Sequence, residues 1–346
     1  LNHQRVDLIG ATARALLTQP GFAGRVLAVV TDVVYLSAEE ESRFLGENGI
    51  LWLAQNHLPM HPRALRGDFD FSALRVGMSF QSDGTRLHFD VGDHSEGDHP
   101  SLSLRTGSGL PLQFADARVW QPATIDPARV VPRETVIARV RELREAMRGL
   151  DRTDFGKSVR SLKDARDLIG LGEGLTPSGD DFVGGWLFAV YHLHAAYPDA
   201  FDWEQRAIDE LLDWARSRTN VISYALLRDH ARGESVEPLH DWLVALLGVD
   251  EPGDMARLVA RLIGIGSTTG KNILAGAATG MFLLAADEPH ATSPLVIEIA
   301  ALGRSAGCPP ARTLLSPAQA GDQPPARAER FPIAIFKKQP GDDYGQ

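Results

Sequence analysis

The sequence predicts an α+β protein, with a β-rich N-terminal barrel or sandwich domain followed by an all-helical C-terminal domain. Three observations carry this. Short β-branched or alternating apolar segments, separated by Gly, Asp, Ser or Pro, crowd the first 120 residues. A proline-rich connector, PATIDPARVVP at 122–132, then changes the texture of the chain. Beyond it apolar residues recur every three or four positions, the period of a helix with one buried face.

One helix is expected over Arg5–Leu17. Strands are expected at Arg25–Leu36 (RVLAVVTDVVYL), Ile50–Leu53, Val76–Gln81, Arg86–Val91, Ser101–Leu104 and Leu112–Trp120. After the connector, Val136, Val140, Leu143, Met147 and Leu150 line one helical face. The same periodicity runs through Glu204–Arg216, Ser223–Ala231, Leu239–Leu247, Met255–Ile263 and Pro294–Gly303. The chain thus reads as a β-rich domain over 1–125, a helical domain over 132–320 and a Pro-rich tail over 321–346. Within that tail, Phe331–Lys337 (FPIAIFK) could add a strand to an exposed sheet edge.

Composition excludes several classes. With 44% hydrophobic and 23% charged residues in 346, the chain is neither disordered nor a coiled coil. Thirty-five basic against 45 acidic residues give a net charge of −10, which repels phosphate backbones and argues against nucleic-acid binding. No apolar run reaches the ~18 residues of a membrane helix, the nearest being Trp186–Tyr197 and Ile273–Ala286. The single cysteine, Cys308, cannot form an internal disulfide or a cysteine zinc cluster and fits a reducing, cytoplasmic setting.

The 33 glycines are concentrated in two places. Gly170–Gly185 reads GLGEGLTPSGDDFVGG, six of its 16 residues being glycine, between two helical patterns. A dinucleotide turn needs a preceding strand, and a P-loop ends in GK[ST], so neither applies. Thr176 followed by Pro177 fits an N-cap and a first helical position. Backbone N–H groups around Gly172, Gly174, Ser178 and Gly179 would then be open to an anion at the helix start. The alternative is a tight turn between packed helices. Asp180 and Asp181, in the first turn, favour the helix dipole without any ligand. Near a ligand they would accept from an NH₂ or hold a divalent metal ion.

The second glycine-rich start, Gly264–Gly280, reads GIGSTTGKNILAGAATG. Ser267, Thr268 or Thr269 could cap its helix, with Gly270, Lys271 and Asn272 just inside, while Gly276 and Gly280 fit a close helix–helix contact. Between the two starts, Arg218-Thr219-Asn220-Val221-Ile222-Ser223 is a polar cluster, read equally well as a solvated helix start or as part of a site.

These three motifs resemble those of the AllH-type subunit of bacterial oxamate carbamoyltransferase. The resemblance is strongest over Pro132–Ala320, and its run G-L-G-x-G-L-T-P-S-G-D-D is long. Glu173, in the variable position, stands where many relatives carry proline. The resemblance implies phosphorolysis of oxalurate to oxamate and carbamoyl phosphate, or the reverse, in allantoin breakdown (purine catabolism). It also implies a hetero-oligomer with other carbamoyltransferase subunits, one of them similar to acyl-CoA synthetases. Carbamoyl phosphate, oxamate, oxalurate or phosphate would be the small anionic ligand. Asp180, Asp181 and Lys271 are the catalytic candidates on this reading. Gly172, Gly174, Thr176, Ser178, Gly179, Arg218, Asn220, Ser223, Ser267, Thr268, Thr269, Gly270 and Asn272 are the substrate-binding ones. No cofactor is required, a divalent metal at Asp180 and Asp181 being the variant.

Two other readings compete: a metal-dependent hydrolase using Asp180 and Asp181 with activated water, and a non-catalytic scaffold subunit. The run HFDVGDHSEGDH, from His88 to His99, reads as a polar hairpin loop before it reads as a metal site, and His57 and His61 read as loop residues. His192 and His194 lie two apart on one helix and so point to different faces.

Overall fold

The computed structural model describes residues 4–38, 49–90, 110–147, 162–199, 205–250 and 253–285, all within one compact unit, 1–302. Nine strands come first: β1 (Gln4–Gly10), β2 (Ala23–Val29), β3 (Val33–Ala38), β4 (Ile50–Gln55), β5 (Ala64–Gly67), β6 (Ser79–Ser82), β7 (Arg86–Phe89), β8 (Leu110–Gln113) and β9 (Arg118–Trp120). One helix, α1 (Ala11–Leu17), interrupts them. The order is β5-β4-β3-β2-β6-β7-β8-β1, and β1 pairs back onto β5, so eight strands close into a barrel with β9 extending from β1. Pairing is antiparallel except at β4–β5, β1–β8 and β1–β9.

The sequence expectation of a barrel or sandwich resolves to the barrel. Several element boundaries differ. Arg5–Leu17 is a strand followed by a helix, because Val6 and Ile9 enter the barrel core and Gly10 is pressed against the backbone of Pro62. Arg25–Leu36 is a hairpin of β2 and β3, folded at Thr31 and Asp32, and β5 carries no pattern long enough to flag it. Leu112–Trp120 likewise divides into β8 and β9. Ser101–Leu104, most of the acidic His run, Pro294–Gly303, Cys308 and the tail lie outside the described residues.

Side-chain alternation sorts β3 and β4 into two faces. Val34, Leu36, Leu51 and Leu53 join the barrel interior with Phe22, Phe80, Phe89 and Phe114. Their neighbours Tyr35, Ile50, Trp52 and Ala54 point outward and pack with Ile222 and Ala225 of the helical region. Both faces of β4 are covered, which is why ILWLA is apolar throughout rather than alternating.

The helices are α2 (Arg133–Met147), α3 (Leu162–Leu168), α4 (Ser178–Ala196), α5 (Gln205–Ala215), α6 (Val221–His230), α7 (Glu237–Leu247), α8 (Met255–Ile263) and α9 (Thr269–Met281). At the centre α4 and α9 touch backbone to backbone. A Cβ on Gly276 would stand 1.9 Å from Phe182 O, and one on Gly185 would stand 2.0 Å from Ile273 O. Gly280 meets Ala189 and Trp186, so contacts advance in the same direction along both chains and the two helices run parallel.

A buried ion pair joins barrel to helices. Arg63, fully enclosed just before β5, donates from Nε to Asp229 Oδ2 at 2.5 Å and from Nη2 to Oδ1 at 2.6 Å. His61 lies beside it, its Nδ1 accepting from Arg63 N at 3.2 Å. Met60 and Glu237 exchange two further hydrogen bonds across the junction. Burial holds His230 and His192 at about 4 and His240 at about 3, well under the usual 6.5, and holds His61 well below 6.5 too. All four are therefore neutral at pH 7 and stabilise the fold fully above 6.5, a contribution lost as pH falls toward 4.

Arg63→Ala should strip the counter-charge from Asp229 and cost about 3–5 kcal/mol in urea unfolding, whereas Arg63→Met with Asp229→Leu should recover most of it. Gly276→Ala should destabilise by about 3 kcal/mol, since the atom opposite is backbone and cannot turn aside.

Candidate functional site

Parallel packing of α4 and α9 sets their N-termini side by side, and the three sequence motifs meet there. The Thr176 and Thr269 hydroxyls, one from each glycine-rich start, are 2.9 Å apart. Neither helix start has a side-chain cap bond; Pro177 and Thr268 occupy the cap positions. Thr176 is thus not the cap that its Thr-Pro sequence suggests, because its hydroxyl is turned to Thr269 instead.

The loop between α3 and α4 owes its course to glycine. Gly170 adopts φ +80°, a Cβ there would lie 2.3 Å from Arg218 O, and its N–H donates to Asp180 Oδ1 at 2.7 Å. Gly172 adopts φ +114°, and a Cβ would press to 2.7 Å on Ser178 N, covering the start of α4. Gly179 and Gly270 lie against the carbonyls of Leu168 and Leu262, and Gly174 faces open space. The Gly179 N–H is not open to an anion as the sequence suggests, because it donates to Leu171 O at 2.8 Å, and Gly270 N likewise donates to Ile265 O at 3.0 Å.

Asp180 is a clamp. Its carboxylate accepts from Gly170 N, from Thr219 Oγ1 and, at 2.6 Å, from Ser223 Oγ. Burial raises its pKa, and these three donors oppose the rise. Asn220 caps α6 by accepting from Ile222 N and Ser223 N, each at 3.0 Å, and its Nδ2 donates to Leu175 O at 2.9 Å. The polar cluster before α6 is therefore part of the same assembly.

Asp181 differs. It is 4% exposed and its Oδ2 has no hydrogen-bond partner. Burial pushes its pKa to about 8, against the pull of the Thr269 and Thr176 hydroxyls and with a push from Asp180. On α9, Asn272 is also buried, and its Nδ2 is unpartnered. Lys271 is half-buried in the first turn of α9, Ser178 is half-buried at the first position of α4, and Ser267 and Thr268 are exposed. Arg218 stands apart, its guanidinium lying over the Trp214 ring at 4.4 Å.

Tyr35, on the outer face of β3, is a residue that sequence reasoning missed. Burial raises its phenol to about 12, helped by the Asp181 carboxylate, so the barrel reaches the site. Nothing local to VVYLS signals this.

Among the described residues, no three His, Cys, Asp or Glu side chains group as metal ligands. His57 lies 3.8 Å from Asp32, His88 lies 3.0 Å from Asp83, and His61 is in the junction. His192 donates to Gly233 O at 3.0 Å. An open groove of about 350 Å³ between α5 and α6, lined by Asp213, Arg216, Tyr224 and Arg228 among others, contains none of the candidate residues. No helix among the described residues is long and apolar enough to cross a membrane.

Two adjoining helix starts, the unpartnered Oδ2 of the buried Asp181 and a shell of hydroxyls thus lie together where the three motifs meet. Residues 168–281, from the end of α3 to the end of α9, match the family model described as oxamate carbamoyltransferase subunit AllH, so the resemblance carried by the three motifs holds over that segment. No curated protein and no solved structure matches the chain.

Asp181→Asn, tested by urea unfolding between pH 4 and 9, isolates the buried carboxyl. Because its pKa rises from 3.8 to about 8 on folding, wild-type stability from this group falls as pH climbs through that window and levels off above it. The advantage of the variant over wild type should grow correspondingly. A constant difference would mean that Asp181 ionises freely.

Proposed function

We propose that this chain is a carbamoyltransferase subunit that binds carbamoyl phosphate, oxamate, oxalurate or phosphate at the paired starts of α4 and α9, acting with other subunits. The observation that carries this is the convergence of Thr176 and Thr269 beside the buried Asp181, whose Oδ2 is unpartnered, within the segment matching the AllH family model. Helix starts favour an anionic group through the dipole, which two parallel helices present together here. Hydroxyls and an amide serve the carbonyl and NH₂ groups that all of these ligands except phosphate carry.

In the transfer itself, a phosphate oxygen attacks the carbamoyl carbon of oxalurate. The C–N bond to the oxamate portion breaks, and the departing amide nitrogen takes up the proton that phosphate releases. The protein's contribution is to hold phosphate and carbonyl close together and to stabilise the oxygen that gains charge, work suited to preorganised donors and needing no covalent nucleophile. Asp180, already engaged with three donors, shapes the site, and Asp181 faces the reaction.

A thermal-unfolding screen tests the reading. A ligand at 100 times its dissociation constant should stabilise the chain by ~2.7 kcal/mol. Oxamate and carbamoyl phosphate should do so, and Thr176→Val with Thr269→Val should abolish the shift. If none of the four ligands shifts the transition, the chain alone holds no complete site.

A further inference from the structure

The two unpartnered atoms at the helix starts belong to side chains of different chemistry. Asp181 Oδ2 is on a carboxyl and Asn272 Nδ2 is on an amide, and both residues are enclosed, at 4% and 2% exposure. A buried polar atom left unpaired costs about 1–3 kcal/mol, and such atoms in native proteins are usually met by protein, ordered water or a bound group. Asn272 follows Thr269 by three positions and shares its side of α9. Thr269 in turn lies against the Asp181 carboxyl.

The barrel supplies a third polar group. Tyr35 projects from the outer face of β3, its ring 5.8 Å from that of Trp52, and packs on the cluster that includes Ile222 and Ala225 of α6. That position brings its phenol within electrostatic reach of Asp181, whose carboxylate adds to the rise that burial gives the phenol. Of the elements around them, α4 itself adds Asp180, engaged with three donors. The loop from α3 has Glu173, which is exposed, and α9 has the half-buried Lys271. Before and along α6 come Arg218, stacked on Trp214, the Thr219 and Ser223 hydroxyls, the Asn220 amide and His230, whose ring meets α4 at Gly184 and is held neutral at pH 7.

We propose that Asp181 works as a neutral carboxylic acid and, together with the Tyr35 phenol and the Asn272 amide, donates hydrogen bonds to one carbonyl or carboxylate oxygen of the ligand. This rests on the ligand site proposed above and specifies what that site recognises. It reverses the role that the sequence suggests for a carboxylate there, which is to accept from an NH₂. A neutral acid beside a phenol in an apolar setting is an effective donor pair for an oxyanion, whereas an ionised Asp181 would repel one. The same donors would be in place for the oxygen that gains charge during carbamoyl transfer.

The experiment is calorimetric titration of the full chain with oxamate, and separately with inorganic phosphate, from pH 6 to 9.5. Wild-type affinity for oxamate should be level to about pH 8 and then fall about tenfold per pH unit, as expected when one proton is required. Asp181→Asn keeps a donor at every pH and should bind with no such fall. Tyr35→Phe should weaken binding about tenfold at pH 7 while leaving the melting temperature and the break near pH 8 in place. Oxamate affinity that is unchanged or rises from pH 6 to 9.5, or a Tyr35→Phe protein that binds like wild type, would overturn the donor arrangement alone. If neither oxamate nor phosphate binds the wild type at any pH, the ligand site itself fails, and the donor arrangement falls with it.

Discussion

The close approach of α4 and α9 is the constraint on which the rest depends. Gly185 and Gly276 let the two backbones meet where any side chain would hold them apart. Because the helices run parallel, that contact places two N-termini together with the same end of each dipole, the Gly179 and Gly270 N–H groups being engaged by Leu171 O and Ile265 O. Two like dipole ends repel, so the arrangement needs negative charge or hydrogen-bond acceptors nearby. Asp180 and Asp181 are the residues that stand there, one engaged by three donors and the other raised toward neutrality by burial. Glycine content, helix orientation and carboxyl chemistry are thus one design.

Outward from this centre, α6 connects site and scaffold. Its first turn presents Ser223 to Asp180 and packs Ile222, with Ala225, against the barrel wall, and its end offers Asp229 to Arg63. A buried bidentate pair contributes little net stability against a well-packed apolar alternative, yet it admits only one orientation of its partners. Its value here is that it sets where α6 lies, and hence how the donors that restrain Asp180 are aimed.

Much of this is legible in the sequence. The helical period in 205–216, 239–247 and 255–263 survives in the structure because each helix buries one face. The two glycine-rich starts stand out because glycine weakens a helix, so a cluster of them at a helix beginning marks a place where backbones must come close. The strands are harder. Thr31 and Asp32 turn the chain without Gly or Pro, so two strands read as one, and β1 runs into α1 with no break in its apolar pattern. Thr176 resembles a cap in its local pattern, which cannot see a hydroxyl on a distant helix. Tyr35 is invisible for the same reason: its neighbourhood is made of residues far along the chain, brought near only when the barrel closes and α6 docks.

The Arg63–Asp229 pair also bears on how the molecule is made. Its partners are separated by 166 positions in the chain. Synthesis from the N-terminus completes the barrel strands long before α6 exists, leaving Ile50 and Trp52 without the α6 residues that cover them and Arg63 without Asp229. During that interval the nascent protein displays a sticky, charged face that the finished one conceals. The barrel is therefore a template awaiting its helix, and a fragment ending at the connector would keep that unfinished face permanently.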